Sequence, residues 1–410
     1  MSPAATRHDP EPEESLLLPA AITRRISPER SAAIAARIGI ALGIAVVVCF
    51  ATGLISHWVQ HPPVWFHWPA NPPWLYRVTQ GAHVISGVMA IPLLLVKLWS
   101  VFPRLFARPL IGNPLRLLER GSIALLVGSM IFLLVTGLFN TAQFYPWKFF
   151  FTSTHYAMAY IAAGALAVHL AVKLPVVRTA LARPAGGTEP AHPAGDATGT
   201  ESETPYTAPP SGTRFSRRGL FGATAAATAL AGLVVAGQSV PWLRWVSVLS
   251  PRTGEGPQGL PVNRTAHAAG VTERAQESGY RLTVVTGTTE RVFSRAELEA
   301  LPQTTAILPI ACVEGWSASA TWSGIRMRDL LDAAGGYRGG DIALQSLERG
   351  GLYSRTLLPD THVVDDQTLV ALRLNGEELS LDHGYPCRLI APNRPGVLQT
   401  KWLSRIEVRA

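Results

Sequence analysis

The chain has 410 residues, room for two or three domains, and 48% of them are hydrophobic. The net charge of +8 does not point to nucleic acid: no Arg/Lys patch is interleaved with aromatics, and many arginines flank apolar runs, where they set membrane orientation. Three cysteines, Cys49, Cys312 and Cys387, are too few and too widely spaced for a zinc motif or a disulfide framework; a Cys312–Cys387 disulfide is possible only on paper.

Residues 1–30 are acidic and Pro-rich, then basic, and read as a disordered cytoplasmic tail. Four apolar segments follow, at residues 31–56, 83–102, 120–140 and 152–174. Each is close to the roughly 20 residues that cross a bilayer as a helix. Arg24, Arg25, Arg30 and Arg37 precede the first. Lys97, Arg104, Arg108, Arg116 and Arg120 lie between or near the second and third, and Lys173, Arg178 and Arg183 follow the fourth. That bias predicts cytoplasmic ends for the bundle and an outward Trp/Pro-rich loop at 58–76.

Residues 175–213, rich in Gly, Pro, Thr and Ala from 184 onward, read as a flexible linker. The stretch 214–240 opens with Phe215-Ser216-Arg217-Arg218 and continues as a weakly apolar, Ala/Gly/Thr-rich run. It resembles a twin-arginine export signal placed internally. The alternative is an ordinary fifth helix with basic flanks. Both put the rest of the chain on the outer side, with the segment kept as an anchor.

Residues 251–410 mix charges and turn residues and predict an α+β domain. Strands are expected at 280–286, 307–312, 342–346, 368–374, 388–391 and 402–408. Helices are expected at 294–301, capped by Ser294, and at 326–334, stopped by Gly335-Gly336; Asn375-Gly376 reads as a tight turn.

The runs Cys312-Val313-Glu314-Gly315-Trp316-Ser317 and Trp322-Ser323-Gly324 resemble the sulfite-oxidase-like molybdopterin family. So do His383-Gly384-Tyr385-Pro386-Cys387-Arg388-Leu389 and the stretch from Lys401 to Val408. The style is that of the bacterial branch that includes periplasmic methionine sulfoxide reductases. The resemblance implies that Cys312 ligates molybdenum, and a soft thiolate suits a transition metal. It places Arg388 and Lys401 at the pterin phosphate and His383 on the pterin. Gln399, Thr400 and Ser346 become further cofactor contacts, and Asn263 an N-terminal one. The ordinary alternative for Arg388 and Lys401 is a salt-bridged surface. True sulfite oxidases carry arginines soon after the ligating cysteine. Here Glu314 and Trp316 follow, which favours a neutral, reducible substrate such as a sulfoxide or N-oxide. Arg355 or Arg394 could still supply a positive charge, and Tyr353 could border the pocket.

Histidines in apolar helices are costly and functional by default. His155 and His169 share the fourth segment, 14 residues and roughly 21 Å apart at 1.5 Å per residue. His57 ends the first segment and His83 begins the second, both at the level of His155. Helix count and histidine placement resemble four-helix cytochrome b561-like subunits. That resemblance implies one outer b-type haem on two of His57, His83 and His155, with the pair left open. No inner partner for His169 is evident.

The resulting expectation is a membrane-bound molybdopterin oxidoreductase that exchanges electrons with a membrane quinone and acts on a small molecule. Rivals are sulfite oxidation, a cofactor-free extracellular binding module, and a transmembrane electron carrier.

Overall fold

The computed structural model describes residues 32–105, 114–182, 216–248 and 256–409. The expected tail at 1–30 and linker residues 183–213 lie outside that set.

Five long helices come first: α1 Ala32–Gln60, α2 Leu75–Leu105, α3 Pro114–Thr141, α4 Phe151–Ala182 and α5 Arg217–Ala236. All five are long and apolar enough to cross a membrane, by length and composition. The two largest differences from the sequence expectation are at the start of α2 and the end of α4. α2 starts at Leu75 rather than at residue 83, because Tyr76, Arg77 and Gln80 find hydrogen-bond partners that let polar residues extend an apolar helix. α4 continues to Ala182, into the stretch read as linker, where Ala, Leu and Arg favour helix.

Contacts divide the chain into two units. The first gathers residues within 1–45, 89–134 and 157–229; the second gathers 46–88, 135–156 and 230–410. In the first, Lys97 Nζ donates to the Ala35 carbonyl at 2.7 Å, and Arg37 lies over the Phe221 ring. The second combines one part of each of α1–α5 with the sheet domain.

That domain contains two five-stranded sheets. One has the order β2 (Thr289–Ser294), β1 (Arg281–Thr286), β10 (Leu403–Val408), β5 (Ile342–Ser346), β6 (Arg355–Leu358). The other has β3 (Thr304–Ala311), β4 (Ser317–Arg326), β7 (Leu369–Leu374) and β8 (Glu377–Glu378), with β9 (Arg388–Ile390) also on β7. Only β1–β10 is a parallel pair among the named strands. β1 alternates buried Leu282 and Val284 with more exposed neighbours, the period-two pattern of a strand with one face inward. α7 (Met327–Ala334) buries Met327, Leu330, Leu331 and Ala334, the helical counterpart of that pattern. These residues join Phe293, Ile325, Leu344 and Ile406 in the main core. Ser294 caps α6 (Arg295–Ala300) in a full capping box with Glu297. A second core, with Leu308, Ile310, Trp322 and Ile390, backs the end of β3. It is there that the chain turns at Cys312.

Candidate functional site

β3 and β4 form a long antiparallel hairpin, paired from Thr304↔Gly324 up to Ala311↔Ser317. Cys312 lies at its closed end. Its N–H donates to the Trp316 carbonyl at 2.9 Å, and Gly315 N–H returns to the Cys312 carbonyl at 3.0 Å. The turn is therefore fixed by the ladder beneath it. Cys312 is 1% exposed, and burial, with Glu314 next in order, pushes its thiol well above the ordinary value. A metal cation at the sulfur reverses that preference. Glu314 is engaged close by, accepting from Trp316 Nε1 at 2.9 Å.

Beside the turn is a cleft lined by Cys312, Trp316, Asn263, His383, Arg388 and Lys401, with Gly396 and Ile310 against its wall. Arg388 begins β9 and is 3% exposed. It donates to the carbonyls of His383 (3.0 Å) and Gln399 (3.2 Å) and lies 5.0 Å over the Trp322 ring. Lys401 Nζ donates to the carbonyls of Arg264 and Asp382 and to Asn263 Oδ1. Among the described ion pairs, neither cation has a carboxylate partner. Two buried positive charges facing one cleft with only neutral acceptors are costly. Burial pulls Arg388 down to about 9; burial and then Arg388 pull Lys401 down to about 7. An anion in the cleft would relieve both. His383 Nε2–H donates to the Pro257 carbonyl at 2.8 Å, and burial followed by Arg388 drops its pKa to about 4, so it is neutral at pH 7. Gly384 sits at φ +109°, where a Cβ would come within 3.0 Å of Arg388 Cβ and 3.2 Å of Lys401 Cβ; glycine lets the two cations approach.

Five of the residues singled out in the sequence thus meet: Cys312, Asn263, His383, Arg388 and Lys401. The other three form the scaffold around them. Ser346 Oγ donates to the Lys401 carbonyl, Gln399 brackets both backbone groups of Ala391, and the Thr400 hydroxyl pairs with Thr356. Arg355 is exposed on β6, whereas Arg394 is buried and donates to the Leu357 carbonyl at 2.8 Å; neither lines the cleft. Tyr353 reaches Gln60 Oε1 at 3.3 Å, and its phenol is raised by burial and then by Cys312, which places it in the field of that sulfur. Cys387 is buried beside Tyr280 at 3.1 Å; it and Cys312 are both free thiols. Sequence reading missed the cleft roles of Ile310, Val262 and Gly396, which carry no functional group and are recognisable only by position.

A second cluster lies in the helical part of the same unit. His83 on α2 and His155 on α4 have ring centroids 6.4 Å apart at 77°. His83 Nδ1–H donates to the Cys49 carbonyl at 2.8 Å, and His155 Nδ1 pairs with Thr136 Oγ1 at 3.1 Å. Each ring therefore keeps Nε2 for another ligand, the arrangement usual for metal-binding imidazoles. A centroid separation of 6.4 Å is of the size that two imidazoles sharing one metal atom at about 2.0 Å would have. A Cβ on Gly53 would come within 2.8 Å of His83 Cε1, so the ring position requires glycine there. His57 instead stacks on Tyr156, at 3.6 Å and 11°. His169 belongs to the first unit.

Residues 268–410 match the family described as oxidoreductase molybdopterin binding domain. The mitochondrial sulfite oxidase of Rattus norvegicus is 32% identical over 105 residues, 23% of this chain and 19% of that protein. The nitrate reductase [NADPH] of Mycosarcoma maydis is 60% identical over 40 residues, 10% of this chain and 4% of that protein. The uncharacterized oxidoreductase YuiH of Bacillus subtilis is 30% identical over 117 residues, 28% of this chain and 58% of that protein. The chain thus spans about a fifth of the rat enzyme and less of the fungal one.

Proposed function

We propose that residues 268–410, which match the oxidoreductase molybdopterin binding domain, form such a domain of the sulfite-oxidase family, and that the whole chain is a membrane-bound reductase of a small neutral oxide, such as a sulfoxide. The observation that carries the proposal is the cleft itself, where one buried thiol and two buried cations without carboxylate partners converge.

That donor set fits a molybdenum–pterin group ending in phosphate. Cys312 is the protein ligand to the metal; Arg388 and Lys401 hold the phosphate through charge-assisted hydrogen bonds. Neutral His383 and Asn263 contact the pterin. Ser346, Gln399 and Thr400 act one step back, by fixing the backbone that carries the cations. The bound group supplies two-electron oxygen-atom exchange. The reduction balances as oxide plus two electrons and two protons giving the deoxygenated substrate and water, with a membrane quinol as electron source. Glu314, beside Cys312 in the turn, disfavours an anionic substrate by like charge.

The histidine pair fits a b-type haem. His83 and His155 would hold it, each oriented through Nδ1 by Cys49 and Thr136. The group supplies one-electron steps. Apolar helices α1–α5 would span the membrane, with the sheet domain outside; Arg217 and Arg218, at the start of α5, would form the export and anchor element.

A second reading, sulfite oxidation with electrons flowing the other way, is favoured by the names of the relatives. The deciding experiment compares dye-linked reduction of dimethyl sulfoxide, methionine sulfoxide and trimethylamine N-oxide with ferricyanide-linked oxidation of sulfite, in the membrane-purified protein. A kcat/KM for one oxide at least a hundredfold above that for sulfite is expected. The reverse ratio would overturn the reductase assignment.

A further inference from the structure

Two side chains from two different long helices grip the turn that carries Cys312. Gln80 Nε2 on α2 and Asn140 Nδ2 on α3 both donate to the Val313 carbonyl, at 3.0 and 3.2 Å. Val313 occupies the second position of the turn closed by Gly315 N–H to the Cys312 carbonyl. Neither amide is there by accident of rotamer. The Gln80 carbonyl oxygen accepts from Ser56 Oγ at 3.0 Å, and Ser56 is in turn 2.9 Å from the Tyr76 hydroxyl. The Asn140 carbonyl oxygen accepts from Tyr145 at 2.9 Å. With their oxygens occupied, both amides present N–H to the same acceptor. Gln80 is 4% exposed and Asn140 7%, so water does not compete strongly.

More of the turn is held in the same way. Ser239 Oγ donates to the Gly315 carbonyl at 3.2 Å, and Ser317 N–H donates to the Gln238 carbonyl at 2.7 Å. A Cβ on Gly315 would come within 2.8 Å of Val84 Cγ2. Ala311, just before Cys312, packs with Tyr76 and Val59.

The grip is close in sequence to the histidine pair. Gln80 precedes His83 by three residues on α2, roughly 5 Å of helix rise. Asn140 follows by four residues Thr136, whose hydroxyl holds His155. From this juxtaposition we infer that Gln80 and Asn140 are positioning residues that dock the Cys312 turn on the histidine-bearing helices and so set the coupling between the two redox sites. The inference rests on the haem and molybdopterin reading above. Electron exchange falls steeply with separation and with gaps in packing. Here a continuous path runs from His83 through one turn of α2, the Gln80 amide and the Val313 peptide to Cys312.

The test uses the full chain in membranes, with Gln80→Met, Asn140→Leu and the double variant, both replacements being apolar and close in size to the originals. Molybdenum and haem contents are measured first. Wild type lacking either group would overturn the function proposed above and this inference together, before any variant is compared. Two rates are then read with dimethyl sulfoxide, trimethylamine N-oxide or sulfite, whichever the wild type turns over: dye-linked turnover, and the redox change of the haem absorption band in stopped flow. The expected result is full loading, dye-linked turnover within about twofold of wild type, and a haem-band rate at least tenfold slower in the double variant, with each single variant in between. An unchanged haem-band rate would overturn the inference. So would equal losses in both rates, or loss of either group from the single variants, since those outcomes mark a purely structural role.

Discussion

The Cys312 cleft and the His83–His155 pair present two ways of preparing a site. In the cleft, preparation is electrostatic: buried Arg388 and Lys401 have only neutral acceptors, so the fold holds positive charge that an anion can neutralise. At the histidine pair it is geometric, with each Nδ1 tied off and a glycine making room for one ring. The first site should therefore respond to charge and pH, and the second to shape and ligand identity.

The largest expected effect breaks the second site alone. His83→Met or His155→Met should abolish the bis-histidine haem spectrum and slow quinol-driven turnover at least a hundredfold, while molybdenum content and dye-linked turnover stay near wild type. Optical spectra and elemental analysis of one preparation check both halves.

Next in size, Arg388→Met should empty the first site. It removes the cation and leaves the His383 and Gln399 carbonyls buried without that donor, at about 1–3 kcal/mol each. Pterin retention should fall more than tenfold and thermal stability should drop, with the haem spectrum unchanged.

The pH response sharpens the contrast. Lys401 titrates at about 7 in the folded protein, down from its ordinary 10.5, through burial and then Arg388. Between those values the unfolded chain binds a proton that the folded, empty domain does not. The stability of the empty domain therefore rises with pH across that window. Binding the phosphate restores the proton, so cofactor affinity should fall as pH rises above 7, by at most about tenfold per unit. Dialysis at pH 7 and pH 9, followed by pterin fluorescence, measures this; Lys401→Arg should flatten the dependence.

A smaller effect is expected from Gly384→Ala. It forces a side chain onto φ +109° and into contact with Arg388 Cβ, at a cost of about 1–3 kcal/mol. Pterin should be held severalfold less tightly, with Cys312 and the haem spectrum unaffected.

What the sequence made legible follows the same division. Local chemistry read well: the Ser294 N-cap, the Asn375-Gly376 turn with φ of 52° and 86°, and β5 at Ile342–Ser346. Strands without an apolar rhythm did not. β2 buries only Phe293, and β4 is mostly Ser, Ala and Thr, buried because it is paired on both sides. The beginning of α2 was hidden because its polar residues take partners far away in sequence, such as Gln80 with Val313. Motif likeness gathered the cleft residues but could not separate those that line it from Ser346, Gln399 and Thr400, which hold the backbone. Helical spacing listed the histidines; only tertiary packing paired His83 with His155 and sent His57 to Tyr156.

The central claim, that the Cys312 cleft holds molybdenum through one thiolate, is tested most directly by molybdenum content per chain in membrane-purified wild type and Cys312→Ser. The account predicts about one molybdenum per chain in wild type and an altered or lost metal signal in the variant. No molybdenum in wild type, from cells that load other molybdoenzymes, would contradict it.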